Sequence, residues 1–340
     1  MSLPEFKFVR PQSLSEAVAI LQQHSPAADP LAPRRPPEER GGIEIIAGGT
    51  DLIPSMRQRL FEPEFVLDIR AIRELRGIRE VPGGDLELGA LTTLTEIERS
   101  AIIRQRYPVL AEAARTVASP VIRNMATIGG NICLDTRCVW YNQSLQWRKS
   151  CGFCIKKDGD LCHVAPGGQK CWAAFSADTP PALLCLEAEI EIAGPAGPRR
   201  LPLSELYTGE GDARMNLRRN EILARIILPR RTANWRGAYR KLRIRGSIDY
   251  PLAGVAVAIE NNGHIQQANI AITGVNPAPV LVKRAGGLLA GKALSESLAA
   301  EAADLAARTA KPLTTSALTP EYRREIVRVF TRRALMEAGG

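Results

Sequence analysis

The apolar and polar positions change period several times along the chain, and each change marks a predicted element. Phe6 to Val9 reads as a strand, and Ser13-Leu14-Ser15-Glu16 has the form of a capping box. Leu14, Ala17, Val18 and Leu21 follow at i, i+3, i+4, i+7, the spacing of a helix face. Residues 25–42 lose all periodicity among Pro, Arg and Glu and read as a surface loop. A short apolar strand, Ile43 to Ala47, runs into Gly48-Gly49-Thr50 and a predicted helix from Asp51. Leu186, Ala188, Ile190 and Ile192 alternate with Glu187, Glu189 and Glu191, which predicts a half-exposed strand with Cys185 at its head. Beyond Pro229 two β-rich runs, 252–260 and 265–273, flank Asn262-Gly263, a hairpin signal. Alanine-rich helical patterns fill 293–310 and 321–338, the last entered through Thr319 as N-cap and Pro320. The pattern predicts a nucleotide-binding region over 1–229, then a smaller α+β domain of antiparallel sheet and helices over 230–340.

With 340 residues, 45% apolar and 24% charged, the chain can bury a sizeable core without staples. No run is long enough to span a membrane, and the opening lacks a signal peptide's apolar core, so a cytoplasmic location is expected. The seven cysteines are then better used on metal than in disulfides. The formal charge of +9 raises nucleic acid as a partner, but the basic residues are scattered and aromatics make up only 5%. No nucleic-acid partner is expected. The charge serves either plain solubility or docking of an acidic protein.

Two glycine pairs carry candidate chemistry. Ala47-Gly48-Gly49-Thr50-Asp51 joins a buried strand to a helix start, and Thr127-Ile128-Gly129-Gly130-Asn131 has the same character. Each is either an ordinary turn or a place where backbone N–H groups approach a phosphate. Two such loops could clasp one dinucleotide. Neither the Rossmann nor the P-loop signature is present.

Five cysteines, Cys138, Cys151, Cys154, Cys162 and Cys171, fall within 34 residues that also hold Trp140, Trp147 and Trp172. Three readings stand: an iron–sulfur cluster in a wrapping loop, a zinc site, or structural thiols. The C-x-x-C pair Cys151/Cys154 matches the zinc pattern on one side only. Cys185 and Cys133 read as packing residues, and His163 as a hydrogen-bonding histidine rather than a ligand. Arg148, Lys149, Lys156, Lys157 and Lys170 outnumber Asp158 and Asp160 here, which reads as a solvated basic loop or a docking patch for an acidic electron donor.

Taken in order, these motifs resemble the flavin-binding medium subunits of the xanthine dehydrogenase family of molybdenum hydroxylases. The likeness runs from Phe8-Val9-Arg10-Pro11 through both Gly-Gly loops and Gly89-Ala90 to Asp178-Thr179-Pro180-Pro181-Ala182-Leu183. It continues with Tyr239-Arg240-Lys241 and ends at Tyr322-Arg323-Arg324. The resemblance implies a VAO/PCMH-type α+β FAD-binding domain followed by a C-terminal α+β domain. It also implies that Ile45, Ile46, Ala47, Gly48, Gly49, Thr50, Asp51 and Leu52, with Thr127, Gly130 and Asn131, hold the pyrophosphate and ribityl chain of FAD. Asp178 would bond sugar or ribityl hydroxyls, Ala90 and Thr92 would line the cleft, and Leu223 and Lys241 would lie near the ring ends. A lysine in a strand is ordinarily solvated; only the motif promotes Lys241.

The insertion at about 135–175 narrows the resemblance. Asp135-Thr136-Arg137-Cys138, Tyr141-Asn142-Gln143-Ser144, Trp147-Arg148 and Cys162-His163-Val164 are similar to the 4-hydroxybenzoyl-CoA reductase β branch of that family. Its spacing implies a 4Fe–4S cluster on Cys138, Cys154, Cys162 and Cys171, with Cys151 left over. The implied setting is a dimer of heterotrimers with a large molybdopterin subunit and a small 2Fe–2S subunit, reduced by ferredoxin. No catalytic residue is expected in this chain and no membrane contact. The alternatives are the medium subunit of an oxidative aldehyde or N-heterocycle dehydrogenase, or a stand-alone flavin or zinc protein.

Overall fold

The structure, a computed structural model, describes residues 2–24 and 42–340. The Pro- and Arg-rich stretch read as a loop lies, over 25–41, outside the described residues. Strands β1 (Lys7–Val9), β2 (Ile43–Ile46) and β3 (Phe65–Asp68) form a small parallel sheet in the order β1-β3-β2. The helix Leu14–His24 packs Ala17, Val18 and Leu21 against Ile43 and Leu67 of this sheet. At its start Ser13 Oγ accepts from the Glu16 N–H at 3.1 Å. The Glu16 carboxylate reaches past Ser13 to the Gln12 N–H at 2.7 Å, so the box closes one residue early.

A second, antiparallel sheet contains β4 (Ile78–Glu80), β5 (Leu86–Gly89), β6 (Glu189–Ala193), β7 (Arg199–Pro202) and β8 (Ile222–Leu228), ordered β4-β5-β8-β6-β7. Ile190 and Ile192 of β6 are fully buried and Glu189 and Glu191 are not, as alternation requires. The strand starts later than its pattern suggests, because Thr179–Cys185 is helical and Leu186 closes that helix. Two prolines at its first turn fix helical φ there, and Cys185 sits buried at its end rather than heading a strand.

The third sheet is antiparallel, β12-β11-β10-β9, from β9 (Arg236–Leu242), β10 (Ala253–Asn261), β11 (Ile265–Thr273) and β12 (Val280–Leu281). The β10–β11 turn sits at Asn262-Gly263, with Gly263 at φ 93°. One sheet face, including Tyr239, Ala256, Ala258 and Ala271, joins the core around the helix Pro108–Thr116 and the second sheet. The other, including Val255, Val257, Ile270 and Ile272, is covered by the helices Lys283–Leu289, Glu296–Thr309 and Pro320–Gly339. Thr319 caps the last helix by accepting from the Tyr322 N–H at 3.2 Å. Among the described residues no helix is long and apolar enough to cross a membrane.

Arg323 of the last helix is wholly buried and, among the described residues, has no carboxylate partner. Its guanidinium instead donates to the carbonyls of Leu252 at 2.8 Å, Leu313 at 2.9 Å and Gly274 at 2.6 Å. Arg323→Met keeps the stem and strands three buried carbonyls. A stability loss of about 3 kcal/mol is expected, measured as a lower urea midpoint at unchanged slope.

Candidate functional site: two cavities divided by buried ion pairs

The site is organised by the two faces of β2. Ile45 points into an open cleft of about 450 Å³, while Ile46 points away into a small core with Met56, Tyr141 and Cys154. After β2 the chain turns through Gly48 and Gly49. Gly49 adopts φ 72°, which favours glycine. A Cβ on Gly48 would lie 2.0 Å from the Met125 carbonyl oxygen, so its lack of a side chain lets the two glycine loops touch. Gly48, Gly49 and Thr50 line the cleft, and their N–H groups make no hydrogen bond to backbone carbonyls within the described residues. Free N–H groups in a turn with a left-handed glycine are a nest suited to a phosphate oxygen.

The second glycine loop plays a different part. Residues Ile128–Ile132 form one short helical turn whose leading donors are already used. Ile128 N–H donates to Thr92 O and Gly129 N–H to Ala90 O, both at 2.9 Å, and Gly130 N–H to Thr127 Oγ1 at 3.1 Å. Asn131 Oδ1 accepts from the Thr179 hydroxyl at 2.6 Å, tying this turn to the helix that follows Asp178. This loop walls the cleft more than it offers free donors.

Of the sixteen residues assigned to FAD, Ile45, Ala47 to Leu52, Ala90, Thr127, Gly130, Asn131, Asp178 and Leu223 line the cleft. Ile46, Thr92 and Lys241 stand behind its wall. Thr92 is buried, donates to Gly77 O at 3.0 Å and braces the second loop. Lys241 is not a solvated strand lysine: its Nζ donates to Asp178 Oδ2 at 2.9 Å and to Thr116 O at 3.0 Å. Tyr239 donates to the other Asp178 oxygen at 2.8 Å. Burial, with Asp178 beside it, pushes the Tyr239 phenol well up, so it stays a donor. Asp178 is thereby fixed at the cleft by two anchored neighbours, Lys241 and Tyr239. Sequence reasoning missed Ile248, Asp249 and Tyr250, which reach the cleft from the loop after β9, and Arg214 and Asp135. No local pattern marks them, since the tertiary fold brings them there.

Beyond the cleft wall lies a smaller cavity. Cys138, Cys154, Cys162 and Cys171 all line it, with Trp140, Tyr141, Ile155, Val164 and Trp172. Cys151 does not; it ends the short helix Leu145–Ser150. His163 also faces this cavity, its Nε2 2.6 Å from the Phe153 carbonyl and its ring stacked on Trp140 at 4.4 Å. It acts as a hydrogen-bonding residue. Burial pushes the Cys138 thiol up to about 11 and the Cys171 thiol to about 12. Such thiols give up their protons to a bound cation rather than to water. Among the described residues no group of three or more His, Cys, Asp or Glu is gathered tightly enough to hold a single metal ion. The four thiols line one small cavity.

One segment, 133–138, joins the two cavities. Cys133, Leu134 and Asp135 face the cleft, and Cys138 faces the thiol cavity. Two ion pairs cross between them. Lys156, which lines the thiol cavity, donates to Asp135 at 2.9 Å, and Arg137 pairs with Asp51 of the first glycine loop. Burial alone would raise the Asp135 carboxyl; the charges of Lys156 and Arg214 outweigh it and hold it below the ordinary range. Arg137 also donates to the Tyr250 hydroxyl at 2.6 Å and stacks on its ring at 3.9 Å. Further along, Arg148 is buried and donates to the Arg59 carbonyl at 2.8 Å. The insertion thus grips the helix Leu52–Arg57 near both ends.

These contacts correct the basic-patch reading of the insertion. Arg148, Lys156 and Lys157 are buried, and Lys170 is paired with Glu210 at 2.9 Å. Of the five basic residues, Lys149 alone is exposed without an ion pair among the described residues. Arg148, Lys156 and Lys157 therefore hold the loop together from within and do not lie on its surface.

The comparisons with known proteins place this geometry. Residues 4–231 match the FAD binding domain in molybdopterin dehydrogenase, and residues 237–338 match the CO dehydrogenase flavoprotein C-terminal domain. The chain belongs to the family of FAD-binding subunits of molybdopterin dehydrogenases. It is 31% identical to the carbon monoxide dehydrogenase medium chain of Hydrogenophaga pseudoflava, over 98% of this chain and 97% of that one. It is 29% identical to the nicotinate dehydrogenase FAD-subunit of Eubacterium barkeri, over 86% and 82%. A solved carbon monoxide dehydrogenase from Hydrogenophaga pseudoflava superposes with a TM-score of 0.77 at 29% identity, covering 99% of this chain and 98% of that one. The α+β architecture and FAD as a cofactor therefore stand.

The contact of Gly48 with Met125 O makes a selective test. Gly48→Ala forces the two glycine loops apart and should weaken FAD binding at least about tenfold, about 1.4 kcal/mol. Gly130→Ala meets only the Thr127 hydroxyl at 3.1 Å and should keep most of its flavin. Flavin content after gel filtration, and titration of the stripped proteins with FAD, measure both.

Proposed function

We propose that this chain is the electron-transferring FAD subunit of a molybdenum hydroxylase-type complex, and that its insertion carries a 4Fe–4S cluster beside the flavin. The convergence of Cys138, Cys154, Cys162 and Cys171 on one apolar cavity carries the cluster reading. The four thiols lack the C-x-x-C pairing usual in zinc sites, since Cys151 lies outside the cavity, and an all-cysteine set in a wrapping loop suits an iron–sulfur cluster. Bound in the cleft, FAD would exchange electrons singly or in pairs, and the cluster would add a one-electron carrier. The protein's share is positioning. The nest at Gly48 to Thr50 receives the phosphates, and Asp178, held by Lys241 and Tyr239, receives a hydroxyl. The tryptophans keep water from the thiolates.

The partners in this reading are a large molybdopterin subunit and a small 2Fe–2S subunit, assembled as a dimer of heterotrimers in the cytoplasm. The relatives' names, "medium chain" and "FAD-subunit", support a place in a multi-chain enzyme. Residues 1–229 would hold both cofactors and 230–340 would brace the cleft through Tyr239, Lys241 and Tyr250. Dehydrogenases of carbon monoxide, nicotinate and glyceraldehyde among the relatives favour oxidation of a substrate on the large subunit, with electrons leaving through FAD. The thiol cavity favours a second reading, 4-hydroxybenzoyl-CoA reduction with ferredoxin as donor and the cluster as a low-potential inlet.

Acid treatment should release FAD and no FMN. Iron and sulfide should fall together in Cys154→Ser and stay near native in Cys151→Ser, although the two form the C-x-x-C pair. Equal loss in both would put Cys151 in the ligand set and overturn the assignment. Anaerobic assays of the whole complex with ferredoxin and 4-hydroxybenzoyl-CoA, against aldehydes or N-heterocycles with an artificial acceptor, decide the direction.

A further inference from the structure

We propose that the Lys156–Asp135 pair sets the reduction potentials of both cofactor sites at once, a single buried charge pair shared between them. The proposal rests on the reading that FAD fills the cleft and a cluster fills the thiol cavity. Asp135 lines the cleft and Lys156 lines the thiol cavity, so each end of the pair faces a different site. Their side chains are 8% and 1% exposed. Solvent therefore does little to screen either charge, and the field reaches both cavities.

The ammonium is also fixed in place. Besides Asp135 it donates to Thr136 O at 2.9 Å and Gly211 O at 3.0 Å, and it bonds the Thr136 hydroxyl. It lies 4.5 Å from the Tyr141 ring centre. Gly211 itself is pressed against Cys171, since a Cβ there would lie 2.7 Å from the sulfur. Lys156 thus ties the segments bearing Cys138, Cys154 and Cys171 to a carboxylate on the flavin side. A pair that served the fold alone would have no need to present opposite charges to two cavities.

The sign of the effect follows from charge. Each cofactor gains negative charge on reduction. Lys156→Met removes the cation and leaves the Asp135 anion between them, which opposes reduction of both. Asp135→Asn leaves the cation, which favours it. Neither variant orphans its remaining partner: Asp135 keeps Arg214 at 3.4 Å, and Lys156 keeps three oxygen acceptors. The double variant removes both charges and should fold most readily.

The test is a spectroelectrochemical titration of the purified complex, reading the flavin absorbance and the cluster EPR signal in the same sample. Lys156→Met should lower both midpoints, Asp135→Asn should raise both, and the double variant should return both towards native values. FAD and iron contents should stay unchanged throughout. Midpoints that do not move in iron-loaded single variants, or a shift confined to one cofactor, would overturn the proposal. Should Lys156→Met fail to fold, Asp135→Asn and the double variant carry the same comparison. A native complex that contains FAD and no iron would remove the cluster reading instead, an outcome told apart by the iron analysis.

Discussion

A buried charge must meet an opposite charge or a set of backbone dipoles, or lose its solvation at a cost of several kcal/mol, and this constraint shapes the molecule around its cofactor sites. The insertion contributes Arg137, Lys156 and Arg148; Lys156 and Arg148 are almost wholly buried, and Arg137 is mostly so. Arg137 meets Asp51 in the first glycine loop, Lys156 meets Asp135 at the cleft wall, and Arg148 meets carbonyls near the end of the helix after that loop. The first two end on carboxylates that line the cleft, and the third on the chain just after the helix Leu52–Arg57. The insertion is therefore tied to the glycine loop that lines the cleft. Asp178 shows the same constraint on the opposite wall, where Lys241 and Tyr239 fix it.

Much of the fold was legible in the sequence because its signals are local. The hairpin at Asn262-Gly263, the Thr319 cap and the Leu14 helix depend on neighbours within a few residues. The Leu186 strand was misjudged because a helix begun by Pro180-Pro181 absorbed the first part of the alternating run. In the site, the glycine loops and four cysteines were readable as motifs. The behaviour of the charged residues was not. A run of lysines looks solvated from sequence alone, yet Lys156 and Lys157 are buried and Lys241 serves Asp178. Burial is decided by partners distant in sequence: Asp135 lies 21 residues from Lys156, and Tyr250 lies 113 from Arg137. Arg323 resembles these lysines in character, and its partners are carbonyls that only the folded chain brings together.

The family assignment and the insertion speak to different questions. Domain matches across nearly the whole chain, and relatives of about 30% identity, establish a FAD-binding subunit of the molybdopterin dehydrogenase type. The β2 strand makes the connection between that common frame and the thiol cavity. Its alternation sends Ile45 to the cleft and Ile46 to the core beside Cys154, so one strand supports both sites. A second cofactor placed there would share its wall with the flavin. That proximity is what an electron relay needs, whichever way the electrons run.

The central claim is that two redox cofactors sit on either side of the 133–138 segment. The most direct measurement is iron, acid-labile sulfide, zinc and FAD determined together on this chain isolated without oxygen. The account predicts about four irons and four sulfides for each FAD, as the composition of a 4Fe–4S cluster requires, with zinc absent. Zinc in step with FAD, or FAD with neither metal, would contradict it.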